Sequence, residues 1–85
     1  MRSFNNKDDF RLAYPALYRE LSKFTSTYQI FNSAEFYSAY YTDVVCYVHY
    51  IYKNKPNGLI VECKHCDGQY FFELFYPKKQ SSNQS

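Results

Sequence analysis

The stretch that decides the fold is DVVCYVHYIYKNKPNGLIVECKHCDGQYFFELFY, residues 43–76. It reads as three β-strands rich in β-branched and aromatic residues, joined by two turns. Each turn carries an Asx-Gly pair, Asn57-Gly58 and Asp67-Gly68, the strongest short-range hairpin signal, and these are the chain's 2 glycines. With Asp67 and Gly68 central in a type I′ turn, Cys66 pairs with Gln69, and pairing runs outward as His65 with Tyr70, Lys64 with Phe71, Cys63 with Phe72, Glu62 with Glu73 and Val61 with Leu74.

That register sorts the last two strands into faces. Leu59, Val61, Cys63, His65, Tyr70, Phe72, Leu74 and Tyr76 share one, and Ile60, Glu62, Lys64, Phe71, Glu73 and Phe75 the other. The first set is the core face, because a one-residue slip would bury the charges of the second. In the strand before them Val44, Cys46, Val48, Tyr50 and Tyr52 match the core face, while Val45, Tyr47, His49, Ile51 and Lys53 look outward. Pro56 is expected in a loop from Asn54 to Gly58, outside the ladder.

Upstream, Phe10, Ala13, Tyr14, Leu17, Leu21, Phe24 and Tyr28 recur at spacings of three and four, with Arg11, Arg19, Glu20 and Lys23 opposite. This is one apolar helical face. Pro15 interrupts it, and proline is harmless only in a helix's first turn. Either a short turn at Asp8–Ala13 precedes a helix from Pro15 to about Thr25, which is preferred, or one helix is kinked. Thr25-Ser26-Thr27 ends it, since hydroxyl side chains compete for main-chain partners. Asn32 followed by Glu35, with Phe31 and Phe36 at the staple spacing, marks a short second helix over Phe36–Tyr41; an extension of the first strand is the alternative.

The fold class expected is therefore α+β: an N-terminal helix, plus a short second one, packed on one face of a three-stranded antiparallel meander. Residues 1–77 form a single domain and 78–85 a disordered polar tail. A chain of 85 residues buries only about 60% of its unfolded surface or a little more. Its 11 Tyr and 8 Phe, 22% aromatic with no Trp, offset that shortness. Each buried phenol needs a partner or water, so many tyrosines belong at the rim of the core.

Ten Lys and Arg against eight Asp and Glu, a net +2 with the signs interspersed, is not the clustered basic footprint of a nucleic-acid binder. No apolar run approaches the roughly 20 residues of a membrane-spanning helix. Met1-Arg2-Ser3-Phe4-Asn5 lacks the apolar segment of a signal peptide. Three cysteines then suggest reduced thiols and a cytoplasmic or otherwise intracellular protein.

Cys46-x-x-His49 and Cys63-x-x-Cys66 supply the ligand inventory of a tetrahedral zinc site. Strand alternation opposes it, because Cys46 and His49 fall on opposite faces; buried cysteines acting as small hydrophobes are the simpler reading. No cofactor is otherwise expected. Cys46 and Cys63 are placed too far apart along their shared face for a disulfide, at about 3.3 Å per residue. Cys66 beside His65 in a tight turn has no enclosure to make it a nucleophile, and Glu62 opposite Glu73 reads as a solvated pair relieved by Lys64, so no enzyme is expected.

The outward face, Tyr47, His49, Ile51, Ile60, Lys64, Phe71 and Phe75, is too apolar to stay bare on a small domain. Either the second helix or the tail covers it, or it is a homodimer seam or docking site with aromatic anchors and a charged rim. The function expected is a non-enzymatic protein-binding module, an inhibitor or adaptor docking through this face. A nucleic-acid-associated domain, zinc-stabilised, is the alternative: Phe71 and Phe75 near Lys53, Lys55 and Lys64 could stack bases.

Overall fold

A computed structural model of the protein describes residues 2–76. Strand β1 (Arg2–Phe4) is followed by helices α1 (Lys7–Ala13) and α2 (Pro15–Ser26) and a 3-10 turn (Gln29–Ser33), then by strands β2 (Ala34–Tyr41), β3 (Val45–Tyr52), β4 (Lys55–Cys66) and β5 (Gln69–Phe75). The strands form one antiparallel sheet in the order β1-β2-β3-β4-β5. The class is α+β, but the expected three-stranded meander is wrong: the sheet has five strands, and two were hidden in the first half of the chain. The expected polar tail, residues 78–85, lies outside the described residues.

The last hairpin follows its turn chemistry. Asp67 and Gly68 have φ of 53° and 79°, as a type I′ turn requires, and every β4–β5 pair from Cys66↔Gln69 to Val61↔Leu74 has the expected register. The preceding hairpin does not turn at Asn57-Gly58. Lys53 and Asn54 take the left-handed backbone instead, φ 54° and 66°, between the paired Tyr52 and Lys55. Pro56, Asn57 and Gly58 then bulge within β4, where the register jumps from Tyr52↔Lys55 to Tyr50↔Leu59. Gly58 is needed for close approach, since a Cβ there would sit 2.6 Å from the Tyr52 carbonyl oxygen.

The second helix expected over Phe36–Tyr41 is strand β2, close to the alternative of further strand. A bulge between Phe36 and Ser38 explains the misreading. It advances the phase by one residue, so Phe36 and then Ala39 and Tyr41 turn toward the core. The Phe36–Ala39 spacing of three mimics a helical face. Asn32 and Phe31 belong to the 3-10 turn instead, where Phe31 meets Tyr50 edge-on at 4.9 Å.

The helices follow the preferred reading. α1 begins at Asn6, whose Oδ1 accepts from the N–H groups of Asp8 (2.7 Å) and Asp9 (3.2 Å), a side-chain N-cap. Tyr14 breaks the run at φ −135°, and Pro15 opens α2 where its missing N–H does no harm. Thr25, Ser26 and Thr27 hydroxyls donate back to the carbonyls of Ser22, Lys23 and Phe24 and close the helix.

Both helices lie on one face of the sheet. Phe10, Leu17 and Leu21 pack with Phe4, Ala39, Cys46, Val48, Val61 and Cys63 in the core, and Leu59 is fully buried as well. Phe10 is its hub, with the rings of Phe4, Phe36, Tyr18 and Tyr14 at 5.6, 5.9, 6.1 and 6.2 Å. Such ring pairs add about 0.5–1.5 kcal/mol each beyond area burial. Tyr14, Tyr18, Tyr41, Tyr50 and Tyr70 ring this core half-buried. At the ends of the expected core face Val44, His65 and Tyr76 are exposed, because the sheet outruns its helical cover there. Among the described residues no helix is long and apolar enough to cross a membrane.

Candidate functional site

The side of the sheet away from the helices carries cross-strand rows set by the register. Ser3, Tyr40, Tyr47, Glu62 and Glu73 form one row, and Ser38, His49, Ile60 and Phe75 the next. Val45, Lys64 and Phe71 flank the first row, and Ile51 with Glu35 flanks the second. All seven residues expected at the binding face (Tyr47, His49, Ile51, Ile60, Lys64, Phe71 and Phe75) therefore share one surface. The second helix does not cover it, because that segment is β2. Phe71 is 53% and Phe75 42% exposed.

The polar groups of this face are arranged around its first row. The Tyr47 hydroxyl donates to Glu62 Oε2 at 3.1 Å, and that bond is the leading cause holding the phenol above its usual range. Lys64 Nζ lies 3.9 Å from the other Glu62 oxygen. Glu73 stands directly across from Glu62, so two carboxylates face each other with one ammonium nearby.

His49 occupies the second row. Its Nδ1 lies 2.8 Å from Asn57 Oδ1, within hydrogen-bond distance. Nε2 is buried without a partner. The Tyr40 ring stacks on the imidazole at 5.7 Å and lies 5.4 Å from the Tyr47 ring. Neither neighbour is legible in the sequence pattern: Tyr40 falls in the segment expected to be helical, and Asn57 in an expected turn rather than in the bulge that brings it to His49. A phase-shifting bulge in 34-AEFYSAYY-41 was the one signal that could have found Tyr40.

The residues of the zinc alternative do not converge. Cys46 and His49 point to opposite faces; Cys46 and Cys63 are buried in the core, and Cys66 is exposed at the last turn. Among the described residues no three His, Cys, Asp or Glu side chains gather as a metal would require. The expected separation of Cys46 from Cys63 is wrong: they are direct cross-strand partners. The Lys53-Asn54 turn and the bulge at Pro56–Gly58 together set that register, and a turn at Asn57-Gly58 would not have. Hydrogen bonding with Cys46, then burial, pushes the Cys63 thiol well above its ordinary range, the opposite of an activated nucleophile.

His65 stacks on Tyr70 at 4.4 Å, beside the exposed Cys66. On the helical side a groove of about 500 Å³ is lined by Tyr18, Leu21, Thr25, Phe36 and Tyr50 among others. Burial holds the Tyr50 phenol far above its usual range, so it stays neutral. Comparison with protein-family models, curated proteins and solved structures finds no match to this chain.

Proposed function

We propose that this chain is a non-enzymatic protein-binding module, an inhibitor or adaptor, whose sheet docks on a partner presenting a basic side chain among apolar ones. The observation that carries the reading is the one-sided cover of the sheet, which leaves Phe71 and Phe75 exposed beside Glu73. Aromatic anchors with a charged rim are the composition of interfaces. Glu62 and Glu73 outnumber Lys64 at the centre of the face, and Glu62 is engaged by both Tyr47 and Lys64. Glu73 is the carboxylate open to a new cation. An arginine fits it well, because its guanidinium can pair with a carboxylate while stacking on a ring.

The same two carboxylates weigh against nucleic acid, since phosphates would be repelled from the surface on which Phe71 and Phe75 could stack bases.

A random peptide library displayed on phage tests the proposal. Selection on the immobilised protein should enrich peptides with Arg or Lys flanked by aromatic or aliphatic residues. Binding should fall at least tenfold with Phe75→Asp or Glu73→Lys, and stay within twofold with Lys23→Glu on the helical side. Failure to enrich such peptides, or binding indifferent to both sheet substitutions, contradicts it.

A further inference from the structure

The two edges of the sheet differ in how they meet solvent. β1 is 3 residues long and carries Arg2. β5 runs 7 residues, QYFFELF, without lysine, proline or bulge, the devices that normally blunt an edge. Among the described residues it has β4 on one side and no strand on the other.

Its register fixes which main-chain groups are left over. Cys66 and Gln69 flank a two-residue turn and exchange both of their main-chain bonds; by alternation Lys64 with Phe71 and Glu62 with Glu73 do the same. The N–H and C=O groups of Tyr70, Phe72 and Leu74 therefore point away from β4. Their side chains lean on the core yet remain half-buried, with room for a neighbour beside them.

We propose that β5 pairs antiparallel with β5 of a second copy about a two-fold axis through Phe72, joining two five-stranded sheets into one of ten. Phe72 is the midpoint of Gln69–Phe75, so this register alone uses the whole strand. Phe72 meets Phe72 of the second copy, and Tyr70 meets Leu74 of the second copy; each pair exchanges two main-chain bonds through the groups left free. Glu73 falls opposite Phe71 of the second copy. Centring on Glu73 instead would set two carboxylates face to face, which destabilises a cross-strand pair, and centring on Phe71 would leave Leu74 and Phe75 unpaired. The contact is isologous and closes on itself, giving a dimer rather than a fibre. It leaves the outward faces open and side by side, so it does not depend on what those faces bind.

The test uses the full chain with Cys66→Ser to remove the exposed thiol. Phe71→Cys and Glu73→Cys proteins are prepared separately, then mixed and treated with diamide. In the proposed register the two new thiols face each other as a non-bonded pair, where side chains approach closest. Within either variant alone they are two residues out of step, beyond the roughly 7 Å that a disulfide can bridge. The mixture should cross-link at least tenfold more than either variant alone, and unmodified protein should sediment at twice the chain mass. A single-chain mass for the unmodified protein, or cross-linking no greater in the mixture than in the single variants, overturns the proposal.

Discussion

The two faces of the sheet are built from the same strands and have opposite fates. On one, Cys46, Val48, Leu59, Val61 and Cys63 are at most 2% exposed beneath the helices. On the other, aromatic and aliphatic residues of similar size remain half-buried or exposed around Glu62, Glu73 and Lys64. Composition alone does not separate them, since Phe71 and Phe72 are neighbours in sequence. What separates them is phase. Phe72 stacks on Phe24 of α2 at 5.2 Å, whereas Phe71 is 53% exposed. Residue type supplied enough apolar surface for both faces, and the helices cover only one.

The largest expected effect breaks the covered side. Phe10 is fully buried at the centre of the ring cluster, so Phe10→Ala should cost about 3–5 kcal/mol of unfolding free energy. In a chain this small that approaches global unfolding at 25 °C. Urea denaturation followed by circular dichroism measures it.

Alkaline pH should weaken the same side. Burial raises the Tyr50 phenol, and hydrogen bonding with burial raises the Cys63 thiol, so the folded state keeps both protons longer than the unfolded chain. Stability is then full below the unfolded values, about 8.5 for thiol and 10 for phenol. It falls as pH rises past each, by at most roughly 1.4 kcal/mol per pH unit for each group. Urea midpoints from pH 7 to pH 11 should decline in that order, and Tyr50→Phe should flatten the upper limb.

A smaller effect lies at the two glycines. At Gly58→Ala the new methyl would meet the Tyr52 carbonyl oxygen at 2.6 Å and the Tyr52 Cβ at 2.7 Å. A loss of about 1–3 kcal/mol is expected from this overpacking. Gly68→Ala meets no atom within 4 Å but sits at φ 79°, and should cost about 1–2 kcal/mol through backbone conformation alone. Equal and negligible losses would show that the bulge yields.

How much of this was legible in the sequence follows the regularity of each segment. The β4–β5 hairpin was readable residue by residue because Asp67-Gly68 permits one turn type and the strands alternate without interruption. α2 was readable from its apolar spacing and Pro15. β2 was not, because its bulge carries apolar residues out of period two and into a spacing of three. β1 was not either, since 3 residues with one buried phenylalanine carry no period at all. The first turn was misplaced because Asn57-Gly58 is the stronger hairpin dipeptide, yet Gly58 serves close packing, and Lys53-Asn54 accept positive φ in its stead. Of the candidate site, the strand-borne residues were found by phase alone, while Tyr40 and Asn57 required the two bulges.

The most direct measurement of the one-sided cover is a pair of substitutions on β5, Phe72→Asp and Phe75→Asp, each followed by urea denaturation at a single protein concentration. Phe72→Asp is expected to lose several kcal/mol, about 3 or more, because a carboxylate would enter the contact with Phe24. Phe75→Asp is expected to stay within about 0.5 kcal/mol of the unmodified chain, as an open surface position does. Comparable large losses in both would mean that the outward face is itself covered, and would contradict the account.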